Sequence, residues 1–278
     1  MLIVKPYHIQ SIIKDAGFGG TCPIIVRAND KEYVLKTRED GTNPKDLGVF
    51  NELLSYHLID YFDMNIAPQE IVYLFIDENF IEMAEIAYNE GIIKKESLDY
   101  IKESKGFNIG VEYLHNAMEP LDGKIKNDSF IKKLVHIDNY VMNCDRAEDN
   151  INILQDKSNL RKYYAIDFGN ALVDGDLYEK IINKDINILT SGVFENCNVT
   201  QSKRYILRKD TERLVKRGRR NKQSFTTIRN ILDKIVEDFP PDWEPLKYKN
   251  DILDVIACRI KSKNIFKTDI SNRCKCLY

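Results

Sequence analysis

The chain has 278 residues, of which 43% are hydrophobic and 30% are charged. This hydrophobic fraction supports a sizeable core and excludes intrinsic disorder as the main state. The 41 basic and 43 acidic side chains leave a net charge of −2, which argues against a protein whose whole surface wraps nucleic acid. The length suits one large domain, or two lobes that share a cleft.

The N-terminal residues and the cysteines indicate a cytoplasmic protein. The first ten residues, MLIVKPYHIQ, lack the charged region, the long apolar stretch and the cleavage site of a secretory signal. No apolar run approaches the roughly 18 residues that span a bilayer, so we expect no membrane partner. Six cysteines, isolated apart from Cys274-x-Cys276, favour reduced thiols over disulfides or a zinc site.

The first third of the chain reads as β-structure with one helix. A glycine-rich segment, Gly17–Cys22, precedes two β-branched runs, Pro23–Ala28 and Glu32–Thr37. The runs flank a short polar turn, which predicts a β-hairpin. Apolar residues at steps of three and four predict a helix over Leu47–Phe62, and Ile71–Ile76 predicts a strand.

The middle of the chain begins with a predicted helix. Its apolar stripe runs from Phe130 to Val141, and Asp128 or Ser129 can cap its start. A polar loop, 143–150, follows it. Two short predicted strands, 151–154 and 163–166, come next.

Beyond residue 180 the apolar spacing is again helical, and Pro240-Pro241 breaks it before a last helix near Ile252–Ile260. These elements predict an α+β protein with two lobes. A small β-rich N-lobe would occupy residues 1–115 and a larger helical C-lobe residues 116–278. The loops would meet in the cleft between the lobes.

Five elements occur in an order that phosphoryl transfer requires. Glycines let backbone amides approach phosphate oxygens, a lysine neutralises the phosphates, and a glutamate holds the lysine. Carboxylate and amide oxygens hold Mg²⁺, and one further aspartate orients or deprotonates the attacking hydroxyl. The elements are Gly17–Gly20, Lys36, Glu52, Asp145 with Asn150, and Asp167-Phe168-Gly169.

Order and context give this set its weight, because each element alone is common. Asp-Phe-Gly is the most specific, since composition alone predicts about 0.05 occurrences in such a chain. Asp145 and Asn150 fall in a loop after an apolar helix, and Asp167 ends an apolar strand. A carboxylate at that position would emerge into a cleft.

Longer segments resemble the HipA-like kinase family. The loop Asp138-Asn139-x3-Asn143-Cys144-Asp145-Arg146-x3-Asn150 is similar to its N-x-D-R-x-x-x-N pattern, and Ile166–Ala171 is similar to I-D-x-G-x-A. The resemblance covers most of the chain, is closest to short stand-alone bacterial members, and implies a protein-kinase-like fold distantly akin to phosphatidylinositol kinases. Further similar segments are Gly19–Arg27, Tyr33-Val34-x-Lys36, Asn51-Glu52, Gly110–Leu114 and Phe239-Pro240-x-x-Trp243.

The resemblance implies a role for each matching residue. Lys36 would contact the nucleotide phosphates and pair with Glu52, Asp145 would be the catalytic base, and Asn150 and Asp167 would hold Mg²⁺. Backbone amides at Gly19, Gly20, Thr21 and Cys22 would cover the phosphates. The main chain at Glu112, Tyr113 and Leu114 would bind adenine, with Ile81–Ala84 as a competing strand for that role.

For several neighbouring residues, we favour a structural role over a direct role in the reaction. Arg146 is expected to brace its loop by pairing with a carboxylate rather than to contact substrate. We expect Asp149 to be solvated or to have a capping role. Asn152 is a second possible amide ligand of the metal, after Asn150. Compared with ordinary eukaryotic-type kinases, the chain has Asn143-Cys144-Asp145 in place of His-Arg-Asp and has no G-x-G-x-x-G.

A basic segment, 203–222, carries ten Lys or Arg and two acidic residues, a local charge of +8. A solvated helix face is the favoured interpretation. The alternative is a surface that attracts RNA, an acidic protein or a phosphorylated segment. Nucleic acid is not favoured, because Tyr205 is the only aromatic residue there for base stacking.

These observations predict a kinase that uses ATP and Mg²⁺ and acts on a serine or threonine of a protein substrate. An antitoxin-like regulatory partner is a further expectation of the family. One alternative is a kinase for a lipid or another small molecule, and another is a nucleotide-binding interaction module without turnover. Thr21 is a candidate self-phosphorylation site from its position alone.

Overall fold

The structure is a computed structural model, and it describes residues 4–17, 22–41, 44–120, 125–143, 146, 151–172, 181 and 223–261. It mixes α and β structure, and none of the helices in these ranges could cross a membrane. The strands are β1 (Lys5–Asp15), β2 (Ile24–Ala28), β3 (Lys31–Lys36), β4 (Ile71–Ile76), β5 (Gly106–Glu112), β6 (Ala117–Met118), β7 (Ile153–Asp156) and β8 (Tyr163–Ala165). The helices are α1 (Leu47–Tyr61), α2 (Glu78–Asn89), α3 (Lys95–Glu103), α4 (Asp128–Val141), α5 (Phe225–Val236) and α6 (Lys249–Lys261), with a 3₁₀ helix at Glu244–Tyr248.

The predicted hairpin is confirmed as β2 and β3. Ala28 pairs with Lys31, so the turn consists of two residues, Asn29 and Asp30. Both have positive φ, at 47° and 60°. Two consecutive left-handed residues make the type I′ turn, whose twist matches that of the flanking strands.

Five strands close into a small barrel in the order β1, β2, β3, β5, β4. β1 pairs antiparallel with β2 and parallel with β4, and this parallel pairing closes the barrel. The sequence predicted a β-rich N-terminal region but neither β1 nor the closure. All β1 residues are partly or fully exposed, so β1 lacks the alternation of buried and exposed residues that identifies a half-buried strand.

Strand β4 faces two separate hydrophobic clusters. Val72, Leu74 and Ile76 belong to the cluster that fills the barrel and extends to α2 and α3. Ile71 and Tyr73 face a larger cluster with α1 and the helices beyond residue 128. Alternate residues of a strand point to opposite faces, so one strand serves both cores.

Helix α1 confirms the prediction for Leu47–Phe62, and it is buried on all sides. Every residue from Leu47 to Ile59 is buried. A helix without a solvent face lies inside a core rather than on it. Consistent with this, α1 contacts β5, α4 and α5.

Helix α2 corrects one expectation. Ile81–Ala84 was a candidate strand for adenine binding, but it lies within α2. The Asp77 side chain caps this helix by accepting from the Phe80 N–H over 2.9 Å. The buried positions Phe80, Ile81, Ala84 and Ala87 follow helical spacing.

Downstream of the barrel, helix α4 leads to a second sheet with the order β6, β7, β8. The cap of α4 is Asn127, whose side chain accepts from the Phe130 N–H, rather than Asp128 or Ser129. Asn127 thereby satisfies an N–H that the first helical turn leaves open. The two predicted strands form, but they run over Ile153–Asp156 and Tyr163–Ala165.

The C-terminal part follows the predicted pattern. The Ser224 side chain caps α5 by accepting from the Thr227 N–H. Pro240-Pro241 separates α5 from the 3₁₀ helix and α6, where a break was expected. The basic segment 203–222 lies outside the described residues.

Candidate functional site

The lysine predicted to bind phosphates lies in direct contact with the aspartate predicted to bind metal. Lys36 is the last residue of β3, and Asp167 follows β8 by two residues. The Lys36 Nζ donates to Asp167 Oδ1 over 2.9 Å. This contact joins the barrel to the segment that leaves the second sheet.

The charges of this pair stabilise each other. Burial alone would lower the pKa of Lys36, but the carboxylates of Asp167 and Glu52 raise it above its usual value. Burial alone would raise the pKa of Asp167, yet Lys36 and Arg146 lower it. Lys36 is therefore a cation and Asp167 an anion at neutral pH.

Glu52 lies near this pair but makes different direct contacts from those expected. Its Oε2 accepts from the Phe168 N–H over 2.5 Å, and its Oε1 accepts from the Tyr56 hydroxyl over 2.8 Å. Within the described chain, the ion pair of Lys36 is with Asp167. Glu52 acts on Lys36 through its charge while it holds the backbone beside Asp167.

The environment of Glu52 is strongly desolvated. Its exposed fraction is 1%. Burial raises the pKa of Glu52, and the charge of Lys36 and the bonds from Tyr56 and Phe168 oppose that rise. The helical spacing of Glu52 and Tyr56 puts both on one face of α1.

Phe168 is held from several sides. It is fully buried, and its ring makes an edge contact with Tyr56 at 5.6 Å between centroids. The guanidinium of Arg146 lies 4.7 Å from the centre of the same ring. Asp167 has a φ of 59°, a left-handed backbone that costs energy outside glycine and asparagine. The contacts to Phe168 fix the backbone that presents this strained aspartate.

Arg146 braces the loop, as predicted. Its Nε donates to both carboxylate oxygens of Asp138, at 3.1 and 3.0 Å. Its Nη1 donates to the carbonyls of Asn152 and Ile166, at 2.6 and 3.0 Å. One buried guanidinium thus connects α4 to the residue before β7 and to the residue after β8.

Asn51 also binds the segment that follows Asp167. Its Nδ2 donates to the Gly169 carbonyl over 3.2 Å and to the Ala171 carbonyl. Asn51 precedes Glu52, so adjacent residues of α1 hold the Asp-Phe-Gly segment at two points. The resemblance included Asn51 but implied no role for its side chain, because its partners lie 118 and 120 residues further along the chain. Tyr56 was also missed, although its spacing of four residues from Glu52 on a helix is a signal that could have indicated their contact.

The glycine-rich segment ends beside Lys36. Ile24 pairs with Leu35, so the residue before Ile24 and the residue after Leu35 are neighbours across the hairpin. Cys22 has a φ of 47°, and its carbonyl accepts from the Ser97 hydroxyl over 3.0 Å. Gly19, Gly20 and Thr21 lie outside the described residues.

The segment predicted to bind adenine lies at the end of β5. The N–H groups of Glu112 and Tyr113 donate to the carbonyls of Glu70 and Glu32. The hydrogen bonds of the described residues include none from the Leu114 N–H. Glu112 pairs with Tyr33, three residues before Lys36 on β3, which separates the two places by about 10 Å along the strand.

Two predicted site residues, Asp145 and Asn150, lie outside the described residues, as does Asp149. The described residues contain no group of three acidic, histidine or cysteine side chains that could hold a metal. Mg²⁺ commonly takes only one or two protein oxygens and completes its shell with phosphates and water. Asp167 and Asn150 carry oxygen donors of the kind that this mode requires, and their role as metal ligands stays a prediction.

The sequence matches the family described as HipA-like kinase over residues 9–265, and the chain belongs to this family. The structure is similar to the crystal structure of a Helicobacter pylori proinflammatory kinase, CtkA, with a TM-score of 0.54 and 14% identity. That alignment covers 98% of each chain. At this identity the likeness shows a shared fold.

A curated relative has a different activity. The chain is 26% identical over 220 residues to the phenylalanine–tRNA ligase beta subunit of Mycoplasma capricolum. The match covers 77% of this chain but 26% of that protein, so the chain spans about a quarter of its length. A partial match of this kind does not carry the ligase activity over to the chain.

Proposed function

We propose that this kinase transfers the γ-phosphoryl group of ATP, with Mg²⁺, to a serine or threonine hydroxyl of a protein substrate. The observation that carries the proposal is the contact between Lys36 and Asp167 at the end of the barrel. The contact supports the proposal because it brings together the cation that we propose to bind the phosphates and the anion that we propose to bind the metal. The glycine-rich segment ends at the same point.

Different residues bind the phosphates and the adenine of the nucleotide. Lys36 contacts the phosphates, and amides from Gly19 to Cys22 cover them. The Leu114 N–H donates to the adenine ring, since the N–H groups of Glu112 and Tyr113 are already used. The spacing of about 10 Å along β3 separates the adenine end from the phosphate end.

The transfer step uses the loop and the Asp-Phe-Gly segment. Asp167 and Asn150 hold Mg²⁺, which offsets charge on the phosphates when it is bound. Asp145 accepts the proton of the acceptor hydroxyl. The hydroxyl oxygen forms a bond to the γ-phosphorus, the bond from that phosphorus to the β–γ bridging oxygen breaks, and ADP leaves. Glu52 acts indirectly, by holding the Phe168 N–H.

The proposal extends to the architecture and the setting. We propose two lobes, 1–115 and 116–278, with the nucleotide between them, in a cytoplasmic bacterial protein. A protein substrate, and a regulatory partner of the antitoxin type, belong to the proposal. Nucleic-acid binding through 203–222 is not favoured.

Two substitutions test the reaction. Asp145→Ala should bind ATP with nearly unchanged affinity but lose transfer, because the base acts only in the chemical step. Asp167→Ala should weaken Mg²⁺-dependent ATP binding. Calorimetry with and without Mg²⁺ measures binding, and radiolabelled ATP with a cell lysate measures transfer.

The same experiment separates the other interpretations. Label on protein that disappears with Asp145→Ala supports a protein kinase, whereas label confined to small molecules contradicts protein as the acceptor. Binding of ATP without any transfer would favour a non-catalytic module. Folded wild-type protein that does not bind ATP with Mg²⁺ would overturn the proposal. Self-phosphorylation at Thr21 would appear as a Thr21-dependent mass increase after incubation with ATP.

A further inference from the structure

The proposed site leaves the segment 238–244, which we name the C-terminal clamp, without a role. It follows α5 and crosses back to the barrel. The Trp243 Nε1 donates to the Phe107 carbonyl over 3.2 Å, and the Tyr73 hydroxyl donates to the Asp238 carbonyl over 2.9 Å. Phe107 and Tyr73 belong to β5 and β4, so the clamp fastens two barrel strands.

Arg38 connects the clamp to the barrel through a fork of charged hydrogen bonds. Its Nε and Nη2 donate to the two carboxylate oxygens of Asp46, at 2.7 and 3.1 Å. Its Nη1 donates to Asp242 Oδ2 over 2.5 Å and to the Lys105 carbonyl over 3.1 Å. The exposed fractions are 8% for Arg38 and 2% for Asp46. Bidentate pairs of this kind fix direction as well as distance.

The backbone around Arg38 is shaped to admit its side chain. Gly106 has a φ of 103°, and a Cβ built there would lie 2.8 Å from the Arg38 Nη1. Only glycine accommodates both the backbone angle and the guanidinium. The Arg38 N–H donates to Asn108 Oδ1 over 2.8 Å, so β5 holds its main chain as well.

The same fork touches both elements that carry the proposed site. Arg38 lies two residues after Lys36, and Asp46 immediately precedes α1, which carries Glu52. The Asp46 N–H donates to the Arg38 carbonyl over 3.1 Å. Asp46 Oδ2 also accepts from the Glu244 N–H over 3.0 Å. The end of β3, the start of α1 and the clamp therefore meet at one guanidinium.

Asp46 makes these contacts in place of a hydrogen bond that would cap α1. It stands at the start of α1 with a φ of 69°, and its side chain makes no capping bond to the helix. Aspartate at that position commonly stabilises a helix through such a bond. The Asp46 carboxylate is directed to Arg38 and Glu244 instead, which indicates that the connection itself matters.

We propose that Arg38 is a positioning residue for phosphoryl transfer, and that with Asp46 and Asp242 it fixes Lys36 relative to α1 from the side of the C-terminal clamp. The proposal rests on the proposed kinase function. Loss of the Arg38 hydrogen bonds changes the position of Lys36 relative to the Asp-Phe-Gly segment, which Glu52 holds. A shift of this kind lowers the rate of the chemical step more than it weakens nucleotide binding.

Arg38→Lys tests the proposal, because lysine keeps the charge and loses the fork. We expect kcat to fall about ten- to a hundredfold, with a much smaller change in KM for ATP. Asp242→Asn is the second variant, since the Asp242 side chain is 58% exposed and its loss leaves the buried Arg38–Asp46 pair intact. Asp242→Asn should also lower kcat, but by a smaller factor than Arg38→Lys.

Arg229→Lys is the matched control. Arg229 forms an ion pair with Asp233 within α5 and another with Asp254, which joins α5 to α6. Thermal unfolding of both arginine variants shows whether they lose similar stability. Of these two arginine variants, only Arg38→Lys should lower kcat per folded molecule.

Trp243 gives a readout that does not depend on activity. It is the only tryptophan of the chain and lies in the clamp, so its fluorescence reports the packing of the clamp. Below the unfolding transition, Arg38→Lys should shift its emission and Arg229→Lys should not. Active wild type with unchanged kcat in Arg38→Lys overturns the positioning role alone. Wild type that binds ATP but transfers no phosphate overturns the proposed function, and the positioning role with it.

Discussion

Glu52 illustrates how much one buried carboxylate can do at the scale of a residue. Both of its oxygens accept hydrogen bonds, one from the Tyr56 hydroxyl and one from the Phe168 N–H. Its charge raises the pKa of Lys36 without a direct ion pair. The side chain therefore combines an electrostatic effect on Lys36 with a direct hydrogen bond to the Asp-Phe-Gly segment.

Tyr56→Phe isolates the hydroxyl from the ring. The edge contact with Phe168 stays, but Glu52 loses one of two donors, which costs about 1–3 kcal/mol for a buried group. We expect lower stability in urea and weaker Mg²⁺-dependent ATP binding by calorimetry.

Tyr163→Phe is the comparison for that variant. The Tyr163 hydroxyl accepts from the Lys126 N–H and from the side chain of the buried Gln155, so Tyr163→Phe also removes an acceptor from a buried side chain. It should lower stability and leave ATP binding unchanged. Equal effects of the two variants on ATP binding would contradict the role given to Tyr56.

At the scale of elements, local signals predicted much of the fold. The β2–β3 hairpin, α1 and β4 carry their own turn residues or apolar periodicity, and all three form where expected. Strand β1 escaped prediction because its pairing with β4 depends on residues far along the chain. The role of Arg38 escaped for the same reason, since Asp242 lies 204 residues further along the chain. Tyr56, in contrast, lies four residues from Glu52 on a helix, a spacing that could have indicated their contact. The positions of Asp145 and Asn150 stay predictions.

Gly110→Ala probes how tightly β5 packs in the barrel. A Cβ built there would lie 2.7 Å from Leu74 Cδ1 and 2.8 Å from Val72 Cγ2. Both neighbours are buried, so neither can move without disturbing the core. We expect a loss of about 1–3 kcal/mol in urea unfolding. For Gly169→Ala we expect a smaller loss, because its Cβ would approach nothing closer than 3.6 Å.

At the scale of the molecule, α1 makes the larger core continuous. That core draws on β4, β5, α1, α4, α5 and α6, so it takes residues from both sides of position 115. His57 lies in this core with an exposed fraction of 1%. In the described part of the chain, neither of its ring nitrogens has a hydrogen-bond partner. Burial lowers the pKa of His57 to about 4.

The burial of His57 predicts a specific acid sensitivity. An unfolded chain protonates this histidine near pH 6.5, whereas the folded chain does so near pH 4. The unfolded state therefore binds more protons between these values, and stability falls as pH decreases from 6.5 towards 4. The contribution of His57 to that fall is about 3 kcal/mol.

His57→Phe should remove this contribution. Urea unfolding across the same pH range measures it as the difference in slope between the variant and the wild type. The exposed His8 provides the control, and His8→Gln should keep the wild-type slope. An unchanged slope in His57→Phe would show that other groups account for the acid sensitivity.

The long reach of the contacts around Arg38 has a consequence for synthesis of the protein. Arg38 pairs with Asp242, 204 residues further along the chain, and Trp243 and α6 complete the core that contains α1. Domains form during translation as their parts leave the ribosome, the N-terminal parts first. The barrel can assemble early, once β4 and β5 have emerged, but Asp242 and α6, the partners of Arg38 and of α1, emerge more than 100 residues after β5. The contacts around Arg38 and the larger core are thus incomplete in a nascent chain until α6 has left the ribosome.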